Sequence, residues 1–551
     1  MPAGQENGPG LGRVPLAEDA LRARAGRGKI VTAVQTPPEA RRRFGARMID
    51  AIERVGNKLP EPFALFLYLL LAVGVVSTVV SWFGVSTQVP GSEEPAPVRG
   101  LFTGEGIAWL MTTAVDNFIS FPPLGVVVTL LLAVGVAERT GLLLTLVKST
   151  LGRAPRWALP YVIALVALCA HIMSDASILV IPPIAALVFK AAGRNPVAGL
   201  LGSYAIGIAA FSCTPFITST DALLAGISNA AAAPVAGTVL PVTAVSNLAL
   251  NMVLSVVLTV AGGLVIDKLL EPRLNRMGIG TGKAAGHDSD AAASAAVTAQ
   301  ERSALRWAGL ALLIVAAGVL ALTLPESSPL RNEEGSFLPK SPLLSSVIFL
   351  VFIVLIVPSI VYGARLRKIT GVQSVVDMMG QAVKDAVSFI VVAFVLAQFL
   401  ALFTWSGLAS WIAVNGAQGL KDVNFTGFGA VIAFIVVVSL LNLLIASGSS
   451  LWTLIAAVFI PMFALIGYEA GFIQAAFRVG DSATQALTPL NPYLVIILGF
   501  LRKYEPDAGI GSIIARMLPF TIVFWILWVL VLSIFFFTGT GTGPGMDILV
   551  R

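Results

Sequence analysis

The stretch Arg478-Val-Gly-Asp-Ser-Ala-Thr-Gln-Ala-Leu-Thr-Pro489 places two charged side chains, three hydroxyls and an amide between the apolar runs 452–468 and 491–501. A charge near the centre of a bilayer costs roughly 3 kcal/mol or more, so such residues usually face a cavity or a partner. Pro489 cannot donate to the helix ladder, and broken helices are tolerated at membrane depth only where protein or water covers the freed backbone groups. The stretch predicts a broken transmembrane helix at a binding site, with a buried salt bridge beside a kink as the alternative.

The composition indicates a membrane protein. Of the 551 residues, 56% are hydrophobic and only 12% are charged, whereas soluble domains are about a quarter charged. Cys169 and Cys213 both lie in apolar surroundings, which argues against a disulfide framework. His171 and His287 are far apart in the chain and form no zinc-like cluster, and His171 is interpreted as a core histidine rather than a proton relay.

The apolar segments predict an all-α polytopic fold. A spanning helix needs about 20 apolar residues, and the segments of that length are 63–84, 118–137, 239–266, 304–324, 345–363, 386–404 and 512–537. Two further crossings are interrupted, 197–231 at Ser212-Cys-Thr-Pro215 and 471–501 at the opening stretch. Two shorter pairs, 157–190 and 427–467, have the polar tips Ser174-Asp175-Ala176 and Ser447-Gly-Ser-Ser450. The sequence therefore predicts about nine transmembrane helices plus two re-entrant helical hairpins.

The basic residues orient this topology. With the N-terminus in the cytoplasm, 30 of the 36 Lys and Arg residues lie in inside segments and five in outside segments. This asymmetry explains the net charge of +6 without a nucleic-acid partner. Residues 1–61 are predicted to be a disordered, basic cytoplasmic tail with a membrane-proximal helix, 267–303 a cytoplasmic linker, and 538–551 an external tail.

The order of the elements also predicts an internal repeat. Spanning helix, spanning helix, polar-tipped hairpin, broken helix and spanning helix follow one another in 62–266 and again in 345–537, with helix 304–324 between them. That connecting helix makes the second copy enter the membrane from the opposite side. Inverted-topology repeats whose discontinuous helices meet near the midplane are typical of secondary transporters.

The hairpin tips and helix breaks are predicted to converge on one site. Carboxylates and hydroxyls suit sodium, and helix N-termini suit a substrate carboxylate. The predicted substrate-binding residues are Asp175, Asn442, Ser449, Ser450, Trp452, Arg478 and Asp481. The predicted ion-coupling residues are Asp175, Ser177, Thr214, Asp221, Asp481, Thr484 and Gln485, with sodium at Asp175 or Asp481.

Several of these side chains have two interpretations. Arg478 pairs with a substrate carboxylate or with Asp481, which would be its neighbour on a helix. Trp452 stacks on an aromatic ligand or packs in the core. Asp175 binds an ion, proton or substrate, or caps the helix that follows it, and Asp221 is a cap or a second ion ligand.

These motifs resemble the AbgT family. The resemblance rests on Ser174-Asp175-Ala176, Gly193-Arg-Asn-Pro196 and Asp221-Ala-Leu-Leu-Ala-Gly226 in the first half, and on Asn442, Ser447–Trp452, Arg478–Thr484 and Thr488-Pro489 in the second. It implies a homodimeric inner-membrane transporter of molecules related to p-aminobenzoyl-glutamate, with some members exporting sulfonamide antimetabolites. It also implies important roles for Asp175, Asn442, Trp452, Arg478 and Asp481.

The sequence thus predicts a secondary active transporter of aromatic carboxylates, coupled to sodium or protons and using no other cofactor. Two other classes stay open. Gly480-Asp481 also occurs in intramembrane aspartyl proteases, in which Asp175 would be the second carboxylate, but Asp175 follows a serine where that chemistry has a tyrosine. An uncoupled channel lacks a filter motif here. The direction of transport is not encoded in the sequence.

Overall fold

The computed structural model describes residues 61–87, 95–152, 154–173, 176–280, 297–338, 341–445, 447–491 and 493–550. Asp175, nearly all of the predicted N-terminal tail and residues 281–296 of the predicted linker lie outside the described residues. The described chain is almost entirely helical, with one antiparallel pair of two-residue strands, β1 (Ser86–Thr87) and β2 (Ala96–Pro97).

The helices of the first half are α1 (Pro62–Trp82), α2 (Gly104–Ile119), α3 (Pro122–Thr140), α4 (Leu142–Leu151), α5 (Leu159–Cys169), α6 (Ala176–Ala191), α7 (Pro196–Ala209), α8 (Ser219–Ala231), α9 (Leu248–Leu264) and α10 (Glu271–Arg276). A π-helical segment, Val265–Leu270, joins the last two. Helix α11 (Ala299–Thr323) connects the halves.

The helices of the second half are α12 (Pro342–Ser345), α13 (Val347–Arg365), α14 (Val372–Asp385), α15 (Val387–Trp405), α16 (Leu408–Asp422), α17 (Phe428–Asn442), α18 (Gly448–Ala464), α19 (Ala470–Thr484), α20 (Tyr493–Leu501) and α21 (Ile510–Thr538). Within the described ranges, seven helical stretches are long and apolar enough to cross a membrane. They confirm an all-α polytopic membrane protein, while the count of nine crossings and the inverted orientation stay predictions.

Both predicted hairpins and both predicted broken helices are present as pairs of short helices. Helices α5 and α6 form the arms of the first hairpin, and α17 and α18 those of the second. The first broken helix consists of α7 and α8, and the second of α19 and α20 after a 3-10 turn at Gln485–Leu487. Arg478 and Asp481 therefore lie in regular helix, and the break itself follows them.

Local sequence explains where these short helices begin. The side chain of Asn195 accepts hydrogen bonds from the amides of Val197 and Ala198, and Pro196 occupies the first turn of α7. Thr218 and Asp221 form a capping box at the start of α8. Ser447 caps α18 by accepting a hydrogen bond from the amide of Ser450. Thr218, Asp221 and Ser447 thus stabilise helix ends at the break and at the hairpin tip, whereas Asn195 stabilises the end of α7 that is predicted to lie on the cytoplasmic side.

The same glycine turn occurs in both halves. Gly141 ends α3 with φ of 84°, and Gly407 ends α15 with φ of 75°. A left-handed conformation of this kind strongly favours glycine, and a short helix follows directly in each case. This match agrees with the repeated element order that the sequence predicts.

The described helices pack around one large hydrophobic core and two smaller ones, and Ala457 of α18 belongs to one of the smaller cores. The largest core contains residues of the hairpins and broken helices together with α9 and α21. A second core joins α1 to α15 and α16, and a third joins α3 to α13. We call the helices of the largest core, namely those of the hairpins and broken helices with α9 and α21, the core helices. We call α1, α3, α13, α14, α15 and α16 the outer helices. Helix α3 bridges them, because it packs against α8 as well as α13 and α14.

Two predicted boundaries were wrong, and the segment 538–551, whose external position stays a prediction, has contacts that hydropathy did not predict. The segment 85–117, predicted as an external loop, contains the β pair and the sixteen-residue helix α2. Helix α9 begins at Leu248 rather than at 239, because residues 240–247 form turns. The C-terminal segment is not a free tail, since Thr542 exchanges hydrogen bonds with the backbone of Ser246 and Leu250, and the amide of Val550 bonds to the carbonyl of Gly467.

Candidate functional site

A cavity of about 950 Å³ lies where the core helices meet the outer helices. Both hairpins and both broken helices contribute to its wall. The first half supplies Met173, Ile178, Ile208, Phe211, Ser219 and Thr220, and the second half supplies Ser447, Gly448, Ser449, Ser450, Asp481, Gln485, Asn491 and Tyr493. The predicted convergence of hairpin tips and helix breaks is therefore observed for the described residues.

Among the described residues of the core helices, Asp481 is the carboxylate that faces this cavity. Its residue is almost completely buried, and a Cβ atom added to Gly448 would lie only 2.7 Å from its Oδ2 atom. Gly448 is the first residue of α18, so the carboxylate lies at the electropositive end of that helix. Its Oδ1 atom has no hydrogen-bond partner among the described residues. The site thus combines a buried anionic oxygen with a helix N-terminus.

Asn442 holds the segment that carries this carboxylate. Its Nδ2 atom donates to the backbone carbonyl of Asp481 and to the hydroxyl of Thr484, at 3.0 Å from Thr484 Oγ1. Thr484 in turn donates to the carbonyl of Gly480. The Oδ1 atom of Asn442 is buried and has no hydrogen-bond partner among the described residues. Asn442 therefore fixes the position of Asp481 and also leaves one amide oxygen available.

Arg478 bonds to the first half of the chain. Its Nη1 atom donates to Asp221 Oδ1 at 2.6 Å and to the carbonyl of Ser212 at 3.0 Å, and the two charged side chains are only 2% and 3% exposed. The sequence left Asp481 and a substrate carboxylate as its two partners. The structure gives a third, Asp221, because the break before α8 brings that carboxylate onto the face of α19.

Asp221 has several donors around it. Its Oδ2 atom accepts hydrogen bonds from the amide and the hydroxyl of Thr218 at 2.8 and 2.7 Å. Asn251 of α9 approaches its Oδ1 atom at 3.4 Å. Asp221 is therefore both a helix cap and an ion-pair partner. These hydrogen bonds and the ion pair offset the cost of burying its carboxylate.

Trp452 lies behind the cavity wall. Its side chain is fully buried, its indole N–H donates to Ser228 Oγ at 3.1 Å, and its ring packs on Phe477 with centroids 4.6 Å apart. Gln474 donates to the same serine hydroxyl and accepts from Arg478. This arrangement corresponds to the packing interpretation of Trp452 and connects it to the Arg478 network.

The predicted site residues thus fall into two groups. Those that line the cavity are Ser449, Ser450, Asp481 and Gln485. The other described site residues do not line it: Ser177, Thr214, Asp221, Asn442, Trp452, Arg478 and Thr484. At the predicted sodium site, Asp481 Oδ1 has no hydrogen-bond partner among the described residues, and the same holds for Oδ1 of Asn442, the residue that bonds to the backbone carbonyl of Asp481. His171 is buried and its Nε2 atom bonds to the carbonyl of Gly207, as expected for a core histidine.

Sequence reasoning missed a charged group at the outer helices. Glu138 and Arg139 at the end of α3 and Asp385 at the end of α14 also line the cavity. Arg139 and Asp385 form an ion pair. The sequence signal for this charged group was the Glu-Arg pair directly before Thr140-Gly141. The pair lies at the end of a membrane span, where charged residues of an ordinary cytoplasmic loop are also expected.

Gly448→Ala is expected to lower transport roughly tenfold, because the new methyl group displaces the Asp481 carboxylate from its functional position. The protein is expected to stay folded, because this carboxylate can move aside. The new methyl group would lie 2.7 Å from Asp481 Oδ2. Gly499→Ala on α20 is the matched control, since an added Cβ there meets nothing within 4 Å. Uptake into proteoliposomes and the melting temperature check both variants. Equal uptake by the two variants would show that the contact has no role.

Known proteins resemble the chain over most of its length. The AbgT putative transporter family matches residues 47–550. The p-aminobenzoyl-glutamate transport protein of Escherichia coli K12 is 35% identical over 495 residues, which cover 90% of this chain and 96% of that protein.

Two solved structures have the same fold. The YdaH transporter of Alcanivorax borkumensis superimposes with a TM-score of 0.82 at 34% identity, over 88% of this chain and 100% of that one. Neisseria gonorrhoeae MtrF, described as one of a class of antimetabolite efflux pumps, superimposes with a TM-score of 0.83 at 32% identity, over 89% and 97%.

These likenesses confirm the resemblance that the motifs indicated. They also decide against the protease hypothesis, because the family and the relatives are transporters rather than enzymes. The chain is a multi-pass membrane transporter and belongs to the AbgT family.

Proposed function

We propose that this protein is an ion-coupled secondary active transporter of p-aminobenzoyl-glutamate-like aromatic carboxylates. The observation that carries the proposal is the cavity in which the tip of the second hairpin faces Asp481. A helix N-terminus can receive a substrate carboxylate, and the adjacent acidic side chain can receive a cation. The name of the relative from Escherichia coli supports the substrate class. The description of MtrF supports export of antimetabolites as a second activity of the same site, and sulfonamides are the antimetabolites that the resemblance of the motifs implies.

The coupling ion is proposed to bind at Asp481. An ionised carboxylate that is buried without a partner is unfavourable, so the site is stabilised when a sodium ion or a proton occupies it. Asp481 Oδ1 is a buried oxygen without a hydrogen-bond partner among the described residues and faces the cavity, so it is the proposed cation ligand. Asp175 keeps its proposed role as the first-half carboxylate, because Met173 and Ile178 on either side of it line the cavity.

We also propose a homodimer in the cytoplasmic or inner membrane with its N-terminus inside. Contacts such as those of Arg194 with Asp267 and of Lys368 with the carbonyl of Thr140 support a common side for these segments, and their excess of basic residues supports the cytoplasm as that side. Helix α11 is the least buried of the seven span candidates, so its apolar surface is available to lipid or to a partner subunit. The division into one large and two smaller hydrophobic cores suits movement of the core helices against the outer helices.

The proposal is tested by flux measurements on purified protein in proteoliposomes. Radiolabelled p-aminobenzoyl-glutamate and a radiolabelled sulfonamide are offered under a sodium gradient alone, a proton gradient alone and no gradient. We expect one of the two gradients to drive accumulation of p-aminobenzoyl-glutamate above the external concentration. The gradient that does so identifies the coupling ion, and its required polarity gives the direction of transport.

Two outcomes would contradict the proposal. Uptake that only equilibrates under every gradient would indicate an uncoupled channel or facilitator. Absence of flux for the aromatic carboxylate, with ion-driven flux of the sulfonamide, would move the substrate class to sulfonamide antimetabolites. Protein-free vesicles provide the background for both measurements.

A further inference from the structure

The proposed substrate class needs a cation, and Arg478 is poorly placed to supply it. A molecule such as p-aminobenzoyl-glutamate carries two carboxylates, for which arginine is the preferred bidentate partner. The Nη1 atom of Arg478 is already engaged by Asp221 and Ser212, and only 2% of the side chain is exposed. Arg478 is not among the residues that line the cavity. A cationic side chain other than Arg478 must therefore contact the substrate carboxylate.

Arg139 meets the requirements that Arg478 does not. Of the described residues that line the cavity, it is the one with a cationic side chain, and 26% of that side chain is exposed. Its Nη2 atom bonds to Asp385 Oδ2, and its Nη1 atom donates to the carbonyl of Gly135 at 3.2 Å. The guanidinium is thus oriented by its own helix and paired with an exposed carboxylate.

The helix crossing at this point is fixed by a glycine. A Cβ atom added to Gly135 would lie 2.3 Å from the Cβ of Ala382, so α3 and α14 approach closely only because position 135 has no side chain. This crossing places Asp385 next to Arg139 while leaving Asp385 70% exposed. An ion pair with one exposed partner contributes little stability and is easily exchanged.

The charges around the cavity explain why such an exchange matters. Besides Arg139, the charged side chains of its lining among the described residues are Glu138, Asp385 and Asp481. A dianionic substrate meets repulsion from three carboxylates, and like charges placed together cost several kcal/mol. Binding is favoured where a cation neutralises Asp481 and where Arg139 is released from Asp385 to face the substrate.

We propose that Arg139 is the residue that receives a substrate carboxylate, and that Asp385 is the internal competitor which the substrate displaces. This inference rests on the proposed function, since it names the carboxylate contact of the same cavity. It predicts opposite effects for the two partners of one ion pair. Loss of Arg139 removes the substrate contact, whereas loss of the Asp385 charge frees Arg139 for the substrate.

The test measures KM and maximal rate of p-aminobenzoyl-glutamate uptake for R139Q, R139K and D385N. R139Q is expected to raise KM roughly tenfold with the maximal rate unchanged, within the range expected for a hydrogen bond between charged groups. R139K is expected to retain most of the affinity, and D385N is expected to lower KM. Lys368→Gln is the control, because its amino group bonds to the carbonyl of Thr140 next to Arg139 but does not line the cavity.

A purely structural ion pair would give a different pattern. R139Q and D385N would then change KM in the same direction, or would lower the melting temperature and the maximal rate together, and either result would overturn the inference. An unchanged KM for R139Q would also overturn it while leaving the proposed function intact. No ion-driven uptake by the wild-type protein would instead overturn the proposed substrate, before any variant is compared.

Discussion

Asp481→Asn is expected to reduce ion-driven accumulation of substrate to the level of protein-free vesicles, with the fold retained. Asparagine has the shape of aspartate, so it fits the narrow space beside Gly448, where even a methyl group would lie 2.7 Å from Asp481 Oδ2. It cannot hold a proton or offer an anionic oxygen to sodium. Because the substitution replaces a buried carboxylate, one oxygen of which has no hydrogen-bond partner among the described residues, by a neutral amide, the melting temperature is expected to stay equal or to rise.

The measurement separates coupling from substrate binding. Wild-type and Asp481→Asn proteoliposomes are compared for uptake driven by the coupling ion and for exchange of internal against external substrate without a gradient. If Asp481 carries the ion, accumulation disappears while exchange persists. Asp422→Asn is the matched control, since that exposed carboxylate ends α16 and accepts a hydrogen bond from Gln418 far from the site. Wild-type accumulation by Asp481→Asn would remove this residue from the coupling mechanism.

The placement of Asp481 shows what a sequence pattern can predict in a membrane protein. Apolar runs with polar interruptions predicted a hairpin at 427–467, and the structure has the two short helices α17 and α18 in that segment. The argument is that water is absent at that depth, so each polar interruption needs a structural reason. The same argument predicted the break after α19. These features are local, so a window of about 20 residues contains all the information they require.

The wrong boundaries have local causes as well. Helix α2 was predicted as loop because Glu105, Asp116 and Asn117 lower its hydrophobicity and Pro122-Pro123 interrupts it before α3. Helix α14 was overlooked for a similar reason, since it is amphipathic rather than uniformly apolar. Hydropathy identifies helices that are surrounded by lipid. It identifies less well the helices that lie at the membrane surface or have one polar and one apolar face.

The pairing of charges could not be predicted at all. Arg478 and Asp221 are separated by 257 positions, and Arg139 and Asp385 by 246. No periodicity relates residues at such distances, because their contact depends on how the two halves pack. The spacing of Arg478 and Asp481 suggested a neighbouring pair on one helix. In the tertiary fold Arg478 instead bonds to Asp221, a closer carboxylate that also accepts hydrogen bonds from Thr218. A local rule was therefore overridden by a contact between the halves.

Arg478→Met is expected to destabilise the protein by about 3–5 kcal/mol, because it leaves the carboxylate of Asp221 buried without its cation. Asp221→Asn is expected to have a similar effect, since the guanidinium is then left without a counter-charge. The double variant Arg478→Met with Asp221→Asn removes both charges, and the asparagine side chain that it introduces can still accept a hydrogen bond from the amide of Thr218. Its melting temperature should therefore lie well above the value expected from adding the two single effects, with an interaction energy of at least about 1 kcal/mol.

The double variant also decides what Arg478 does during transport. If Arg478 only holds α19 against the break before α8, a folded double variant keeps the wild-type KM for p-aminobenzoyl-glutamate. If Arg478 leaves Asp221 and binds the substrate during the cycle, KM rises in the double variant although stability has recovered. Measuring KM and melting temperature on the same samples separates the two roles, because stability reports the ion pair and KM reports the substrate. The observed geometry, with Arg478 behind the cavity wall and Arg139 on it, leads us to expect an unchanged KM.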